Sequence, residues 1–168
     1  MKNQSADCRC AGRQPESDAA SLCPESGTRG APVELQTVKA LLTDTALSRV
    51  GLFPYRFCAD ASCDVVYFDL AGACYRTGDV RVPVWQKEPF GKRTVCYCFG
   101  ESEASICAEI AAAGQSDAVE RVRAHIAAGR CACEIRNPRG ACCLGDLSAA
   151  VKRVETAMGS EFPVLAES

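Results

Sequence analysis

The sequence predicts an α+β protein: a polar tail over residues 1–20, a small β-rich unit over 21–88 and a short-helix unit over 89–162. Three observations carry this reading. The middle of the chain is rich in Val, Tyr and Phe between turn residues. The last third repeats a pattern of cap residue, apolar stripe and closing glycine. Finally, 13 cysteines among 168 residues reach a density close to that of a disulfide scaffold, and six of them fall in the loops before or between the helices of the last third.

Residues 1–20 are polar, rich in Ser, Ala, Gln and Asp, and are expected to be disordered. In "CPESGTRGAP", Pro24, Gly27, Gly30 and Pro32 mark turns. "VELQTVKALLTDTALSRV" places Val38, Leu41, Leu42, Ala46 and Leu47 at helical spacing, enough for one or two short helices. "YRFC", "DVVYFD", "ACYR" and "VRVPVW" read as a β meander. The polar "QKEPFGK", residues 86–92, reads as a linker. Three helices follow. The first carries Ile106, Ile110 and Ala113 on one face and stops at Gly114. The second starts at a Ser116 cap, carries Val119, Val122 and Ile126, and stops at Gly129. The third starts at an Asp146 cap, carries Leu147, Val151, Val154 and Met158, and stops at Gly159. A unit this small has a thin core and needs a staple.

Composition narrows the function. A net charge of −2 argues against a general nucleic-acid binder. The N-terminus has no apolar stretch of a secretory signal, and no run approaches the ~20 apolar residues of a membrane helix. The expected compartment is therefore the cytoplasm, where thiols stay reduced and clustered cysteines serve as metal ligands or redox groups. An odd number of cysteines also cannot pair fully within one chain.

The first cysteine group is Cys96, Cys98, Cys131, Cys133, Cys142 and Cys143, all read as lying outside the apolar helix faces. A C-x-C in extended backbone turns both sulfurs to one side. Helix starts after Cys98 and Cys143 would favour negative charge, and free amides near Gly140 could donate to sulfur. Vicinal Cys142 and Cys143 do not both face one metal with ease, so two of the six are bystanders. The chemistry leaves an iron–sulfur centre, a structural zinc or thiol redox open. The second group is Cys23, Cys58 and Cys63, like half-sites of a zinc knuckle, with Cys8, Cys10, Cys74 or a carboxylate as a possible fourth ligand. The plainer alternative is free cysteines buried in a β core. Cys107 reads as a core residue, Trp85 as packing, and His125 as a helix C-terminal charge. With one histidine, no Gly-rich phosphate loop and no Ser/His/Asp set, classical acid–base catalysis has few candidates.

"VCYCFGESEASI…GRCACEIRNPRGACCLGD", with "CPES" and "YRFCADASCDVVYFD", resembles the N-terminal iron–sulfur and zinc-binding region of CopZ-type copper chaperones, over about residues 21–158. The resemblance implies a zinc-binding β-rich domain followed by a BFD-like [2Fe-2S] domain. It implies cluster ligands Cys96 and Cys98, one of Cys131 and Cys133, and one of Cys142 and Cys143. Cys133 and Cys143 are preferred, because Cys143 lies nearer a helix start and the "NPRG" turn can bring the two together. The family zinc pattern is C-P-x-C plus C-x4-C. Here Cys23 and the pair Cys58 and Cys63 match, but Ser26 stands where a cysteine is expected. The fused members also carry an M-x-C-x-x-C copper-binding domain, and this sequence has no such motif. The implied function is one-electron transfer or metallochaperone support in copper or other heavy-metal handling, which leaves reduction of Cu(II) as the one reaction to consider. Copper or another soft ion, a redox partner and a copper-transport protein are the implied partners. The alternatives are a zinc-stabilised interaction module without redox chemistry and a thiol-based heavy-metal buffer.

Overall fold

A computed structural model describes residues 21–161; the expected tail, with Cys8 and Cys10, lies outside them. The fold mixes helix and sheet. Strands β1 (Ala31–Val33), β2 (Tyr55–Phe57), β3 (Val65–Asp69) and β4 (Cys74–Arg76) form an antiparallel sheet in the order β1-β2-β3-β4. Helices α1 (Leu35–Leu41) and α2 (Asp44–Leu47) connect β1 to β2. A two-stranded ribbon, β5 (Thr94–Cys96) and β6 (Glu101–Ser102), opens the second half. It is followed by α3 (Glu103–Ala113), α4 (Ala118–Ala127), α5 (Cys133–Arg136) and α6 (Leu144–Glu161).

The sheet divides the buried residues of the first half. Val38, Leu41, Tyr55, Phe57, Val66 and Tyr67 are among those that pack beneath the short helices. Val65 and Phe68 instead join Cys23, Cys58 and Cys63 in a separate cluster. All five residues of β3 are buried, as a strand sandwiched between two layers should be. β1 falls where the sequence reads as turns. Pro32, paired with Arg56, is tolerated because β1 is an edge strand, where one face of the ladder needs no N–H donor. "VRVPVW" forms no strand. Val80 makes one isolated bridge to Leu42, and the segment is bracketed by 3-10 turns at Thr77–Asp79 and Trp85–Lys87. Pro83 removes a donor there.

In the second half, α3 forms as expected. The Ser102 hydroxyl accepts from the Ser105 N–H at 3.1 Å, Ser105 returns the bond to the Ser102 N–H, and Gly114 closes the helix at φ 77°. The other two helices depart from the sequence reading. α4 starts at Ala118, two residues past Ser116, whose hydroxyl accepts from the Ala118 N–H at 3.3 Å while donating to Glu109. α6 starts at Leu144, so Asp146 lies in its first turn, where it pairs with Arg139 at 2.7 Å instead of capping. α6 also runs through Gly159 to Glu161, because an isolated glycine costs only about 1 kcal/mol against alanine and does not stop a packed helix. The unanticipated α5 occupies the "CEIR" segment.

The helices pack around Val95, Ile106, Val122, Leu147, Val151 and Val154 together with Cys96, Cys133 and Cys143. Glu103, at the start of α3, is fully buried and bridges Arg93 at 3.7 Å and Arg153 at 3.3 Å, while accepting from the Gly91 N–H at 2.8 Å. Such a carboxylate is tolerable because both of its oxygens have partners. Arg93 and Arg153 each also lie 5.9 Å from the Trp85 ring. Trp85 is therefore a packing residue, as read, and it anchors the connecting segment.

The two halves meet along a seam. α1 packs against α5; the Thr37 hydroxyl donates to the Glu134 carbonyl at 2.7 Å, and the buried Tyr67 hydroxyl donates to the Pro138 carbonyl at 2.8 Å. Gly140 (φ 64°) closes the same loop, and a Cβ there would meet the Thr37 Oγ1 at 2.8 Å. Both facts require glycine. Tyr67→Phe leaves a buried carbonyl without its donor. The expected cost is about 1–2 kcal/mol, or a fall of about 2–6 °C in thermal midpoint for a chain of this size. Differential scanning calorimetry of the metal-loaded protein checks it, and an unchanged midpoint would show the seam to be idle.

Candidate metal centres

Eleven described cysteines are all free thiols, and most collect in two places. The first place is the far face of the sheet. Cys23 sits in the turn before β1, Cys58 just after β2 and Cys63 just before β3. Their sulfurs all lie within 4.8 Å of one another, and Cys23 and Cys63 are 3.9 Å apart. Four thiolates about 2.3 Å from a tetrahedral zinc sit about 3.8 Å apart, so the spacing fits. The Ser26 hydroxyl lies 3.5 Å from the Cys58 sulfur and also bonds to Cys23, which makes it a candidate for the fourth corner. Cys74 packs beside the group but is not one of the three mutually close sulfurs. Asp60, the nearest carboxylate in the loop, is engaged by Thr28 and Ser62.

The local backbone explains the arrangement. The chain turns tightly after Cys23: the Gly27 N–H bonds to the Cys23 carbonyl at 2.8 Å, and Gly27 takes φ 70°. This turn aims the Glu25 and Ser26 amides at the Cys23 sulfur. Burial raises the Cys23 thiol, but those amides, the Ser26 hydroxyl and Cys58 outweigh it and hold the thiol below its ordinary value. Burial raises Cys63, against one amide from Val65. The Lys87 ammonium closes the site from outside by donating to the Asp60 and Cys63 carbonyls at 2.8 and 2.7 Å.

The second place lies among the helices. Cys96 ends β5, Cys98 lies in the following turn, Cys133 begins α5, and Cys143 immediately precedes α6. The Cys98 sulfur is 3.7 Å from Cys133, and Cys131 is 3.2 Å from Cys133; these three lie within 4.8 Å of one another. Cys143 interacts with Cys96 and with Cys133. Cys133 is thus the sulfur that links the pair Cys98 and Cys131 to the pair Cys96 and Cys143. Cys142 is exposed.

The two sulfurs of the C-x-C do not share a side in the simple way that an extended strand implies. β5 ends at Cys96, where the Gly100 N–H bonds back to the Cys96 carbonyl at 2.9 Å, so Cys98 lies in a turn and faces the Cys131 loop. α3 starts where the sequence places it, capped by Ser102, five residues beyond Cys98; α6 starts next to Cys143, two residues before the expected Asp146, and the unexpected α5 begins at Cys133.

Amides serve these sulfurs too. The Ala132 N–H donates to Cys98 at 3.4 Å, the Cys143 amide to Cys133, and the Phe99 and Cys98 amides to Cys96. The Cys143 thiol is the strongest influence on Cys96; with those amides it overcomes burial and lowers Cys96 to about 7. The same bond, with burial, drives Cys143 well above the thiol range. Burial likewise raises Cys133, reinforced by its contact with Cys131, and raises Cys98. Cys96 is therefore the most acidic of these sulfurs; its bond, with burial, keeps Cys143 protonated, and burial with the neighbouring thiols does the same for Cys133 and Cys98. A cation relieves that conflict, and this donor set fits either a zinc ion or a thiolate-held cluster.

His125 belongs to neither group. It lies in the last turn of α4, stacks on Phe99 with ring centroids 4.3 Å apart, and has the Arg130 guanidinium 3.1 Å from its Nδ1. Cys107 is exposed on α3 instead of buried, because Ile106 takes the inward position. Sequence reasoning missed the Ser26 contact with Cys58 and the amide donors, which depend on turns that only the folded chain displays. No described helix is long and apolar enough to cross a membrane.

Comparison with known proteins bears on both places. Residues 20–81 match the CopZ-type family described as a zinc binding domain. The copper chaperone CopZ of Archaeoglobus fulgidus is 32% identical over 143 residues, covering 79% of this chain and 68% of that protein. The X-ray structure of the Archaeoglobus fulgidus CopZ N-terminal domain is similar at a TM-score of 0.64 and 30% identity, over 85% of this chain and 99% of that one.

Replacing the Ser26 hydroxyl by a thiol should tighten zinc. Ser26→Cys is expected to retain zinc through a chelator challenge that strips the parent, with at least about tenfold slower release, since zinc favours thiolate over a neutral hydroxyl. Release followed with a chromophoric chelator reads this directly. Equal release rates would mean that Ser26 is not at the zinc corner.

Proposed function

The chain belongs to the family of CopZ copper chaperones, and from that premise we propose that it handles copper or a similar soft metal ion with the help of a [2Fe-2S] cluster and a zinc-stabilised first domain. The single observation that carries the cluster reading is the meeting of sulfurs from three separate segments around Cys133, with backbone N–H groups serving Cys96, Cys98 and Cys133. The cluster is assigned to Cys96, Cys98, Cys133 and Cys143. Burial and position favour Cys133 over Cys131, since Cys133 alone contacts both sulfur pairs, and favour Cys143 over the exposed Cys142. Zinc is assigned to Cys23, Cys58 and Cys63. Residues 21–88 and 89–162 are taken as the zinc and cluster units.

A [2Fe-2S] centre supplies single electrons at a potential set by charge, hydrogen bonds to sulfur and exposure. The chain's own part is to set those terms. Amides at Cys98, Phe99, Ala132 and Cys143 stabilise negative charge on sulfur. The α6 N-terminus after Cys143 adds a favourable dipole. Val95, Ile106 and Leu147 keep the inner side dry, while half-buried Cys98 leaves the outer side within reach of a partner. The substrate is a soft metal ion, and the partner is a redox protein or a copper-transport protein in a reducing compartment such as the cytoplasm.

A second reading has its own observation. Cys98, Cys131 and Cys133 form a three-sulfur group much like the zinc group, which suits a second structural zinc in an interaction module. Colour separates the two. Protein purified without oxygen should be red-brown, bleach with dithionite and hold about two iron and two sulfide per chain. Cys96→Ser and Cys98→Ser should abolish the visible absorbance, while Cys107→Ser leaves it intact. A colourless protein that holds only zinc after anaerobic reconstitution overturns the cluster assignment.

A further inference from the structure

We propose that Cys107 and Met158 form a separate binding site for one soft monovalent metal ion, Cu(I) or Ag(I). Cys107 projects from α3, and its thiol lies 3.7 Å from the Met158 thioether on α6. The pair sits at a cavity of about 710 Å³ between these helices, lined chiefly by Phe90, Ala104, Ala108 and Ala111. Two features of the fold create the site. Ile106 takes the core position, which turns Cys107 outward. α6 continues past Gly159, which holds Met158 within the helix and over α3.

The donor chemistry selects the ion. A thiolate with a thioether is a soft pair suited to Cu(I). Zinc takes four ligands, and the acid lining this cavity, Glu103, is committed to Arg93, Arg153 and the Gly91 amide. Charge points the same way. One thiolate neutralises a monovalent ion, whereas a divalent ion would leave net charge in an apolar groove. Metal–sulfur bonds of about 2.3 Å span at most about 4.6 Å, so the sulfurs need to part by less than about 1 Å. The flexible methionine side chain allows this. On binding, the Cys107 S–H bond breaks, its proton goes to solvent, a sulfur–metal bond forms, and no electron is transferred. The site uses no residue of either cysteine group; the copper reading enters only as the reason such an ion would be cargo.

The chain has two methionines, Met1 and Met158, so methyl-labelled methionine gives a residue-specific probe. Ag(I), which is redox-inert here, is titrated into the metal-loaded protein. The Met158 methyl resonance, assigned by its loss in Met158→Leu, is expected to shift within two equivalents and to stay still in Cys107→Ser. Competition with a chromophoric Cu(I) chelator should show at least about a tenfold loss of affinity for one ion in both variants, as expected when a direct ligand is removed. A stationary methyl, an equal shift in Cys107→Ser, or bleaching of the visible absorbance before the methyl moves would each overturn the site. A colourless protein would sink the cluster assignment alone, because the methyl readout does not depend on it.

Discussion

Bringing several thiolates together in a poorly solvated place is unfavourable, and the rest of the molecule is arranged around that constraint. Each negative sulfur raises its neighbours' hold on their protons. The chain answers with backbone. Tight turns after Cys23 and Cys96 aim amides at sulfur from two and three residues on, and the Cys131 loop adds amides from Ala132 and Cys143. Amides are donors that, among side-chain substitutions, only one to proline removes. A metal ion bound at such a place displaces the protons that burial retains on the remaining thiols, which links its binding to pH and to folding.

The second dependency is mechanical. Four ligand candidates lie on the 131–143 loop, whose only regular structure is the single turn of α5. A loop of that kind does not hold sulfurs at fixed separations by itself. It is held by the first half of the chain, through Thr37 to the Glu134 carbonyl, Tyr67 to the Pro138 carbonyl, and the close approach of Gly140 to Thr37. Within the loop, Asn137 donates to the Ala141 carbonyl at 2.7 Å, and Arg139 reaches Asp146 on α6. The sheet-bearing half therefore does more than carry its own cysteines: it serves as the wall against which the loop is set.

Much of this was legible in the sequence, and the failures are instructive. The helix stripes of Ile106, Val122, Leu147 and Val151 and the two cysteine groups follow from periodicity and spacing, which are local. β1 was hidden because Pro32 and its flanking glycine read as punctuation, and only its edge position makes a strand of it. Asp146 looked like a cap because Arg139, seven residues earlier, cannot be paired with it until the loop is folded. Cys107 read as core because Ile106 and Ile110 flank its face, yet one position of helix phase turned it outward. The long-range information, which sulfur meets which and which carbonyl the Tyr67 hydroxyl finds, is carried by topology and leaves no periodic trace.

The modest strand β1 has an effect on how the protein behaves in company. An open four-stranded sheet has two rims, and a rim of unpaired peptide groups invites strand addition by any other chain. Here both rims are three residues long. One carries Pro32, which offers no N–H; the other ends in Arg76, tied to Glu25 and close to Asp64. Cys107 and Cys142 stay open to solvent elsewhere on the molecule, while these blunt rims resist edge-to-edge pairing.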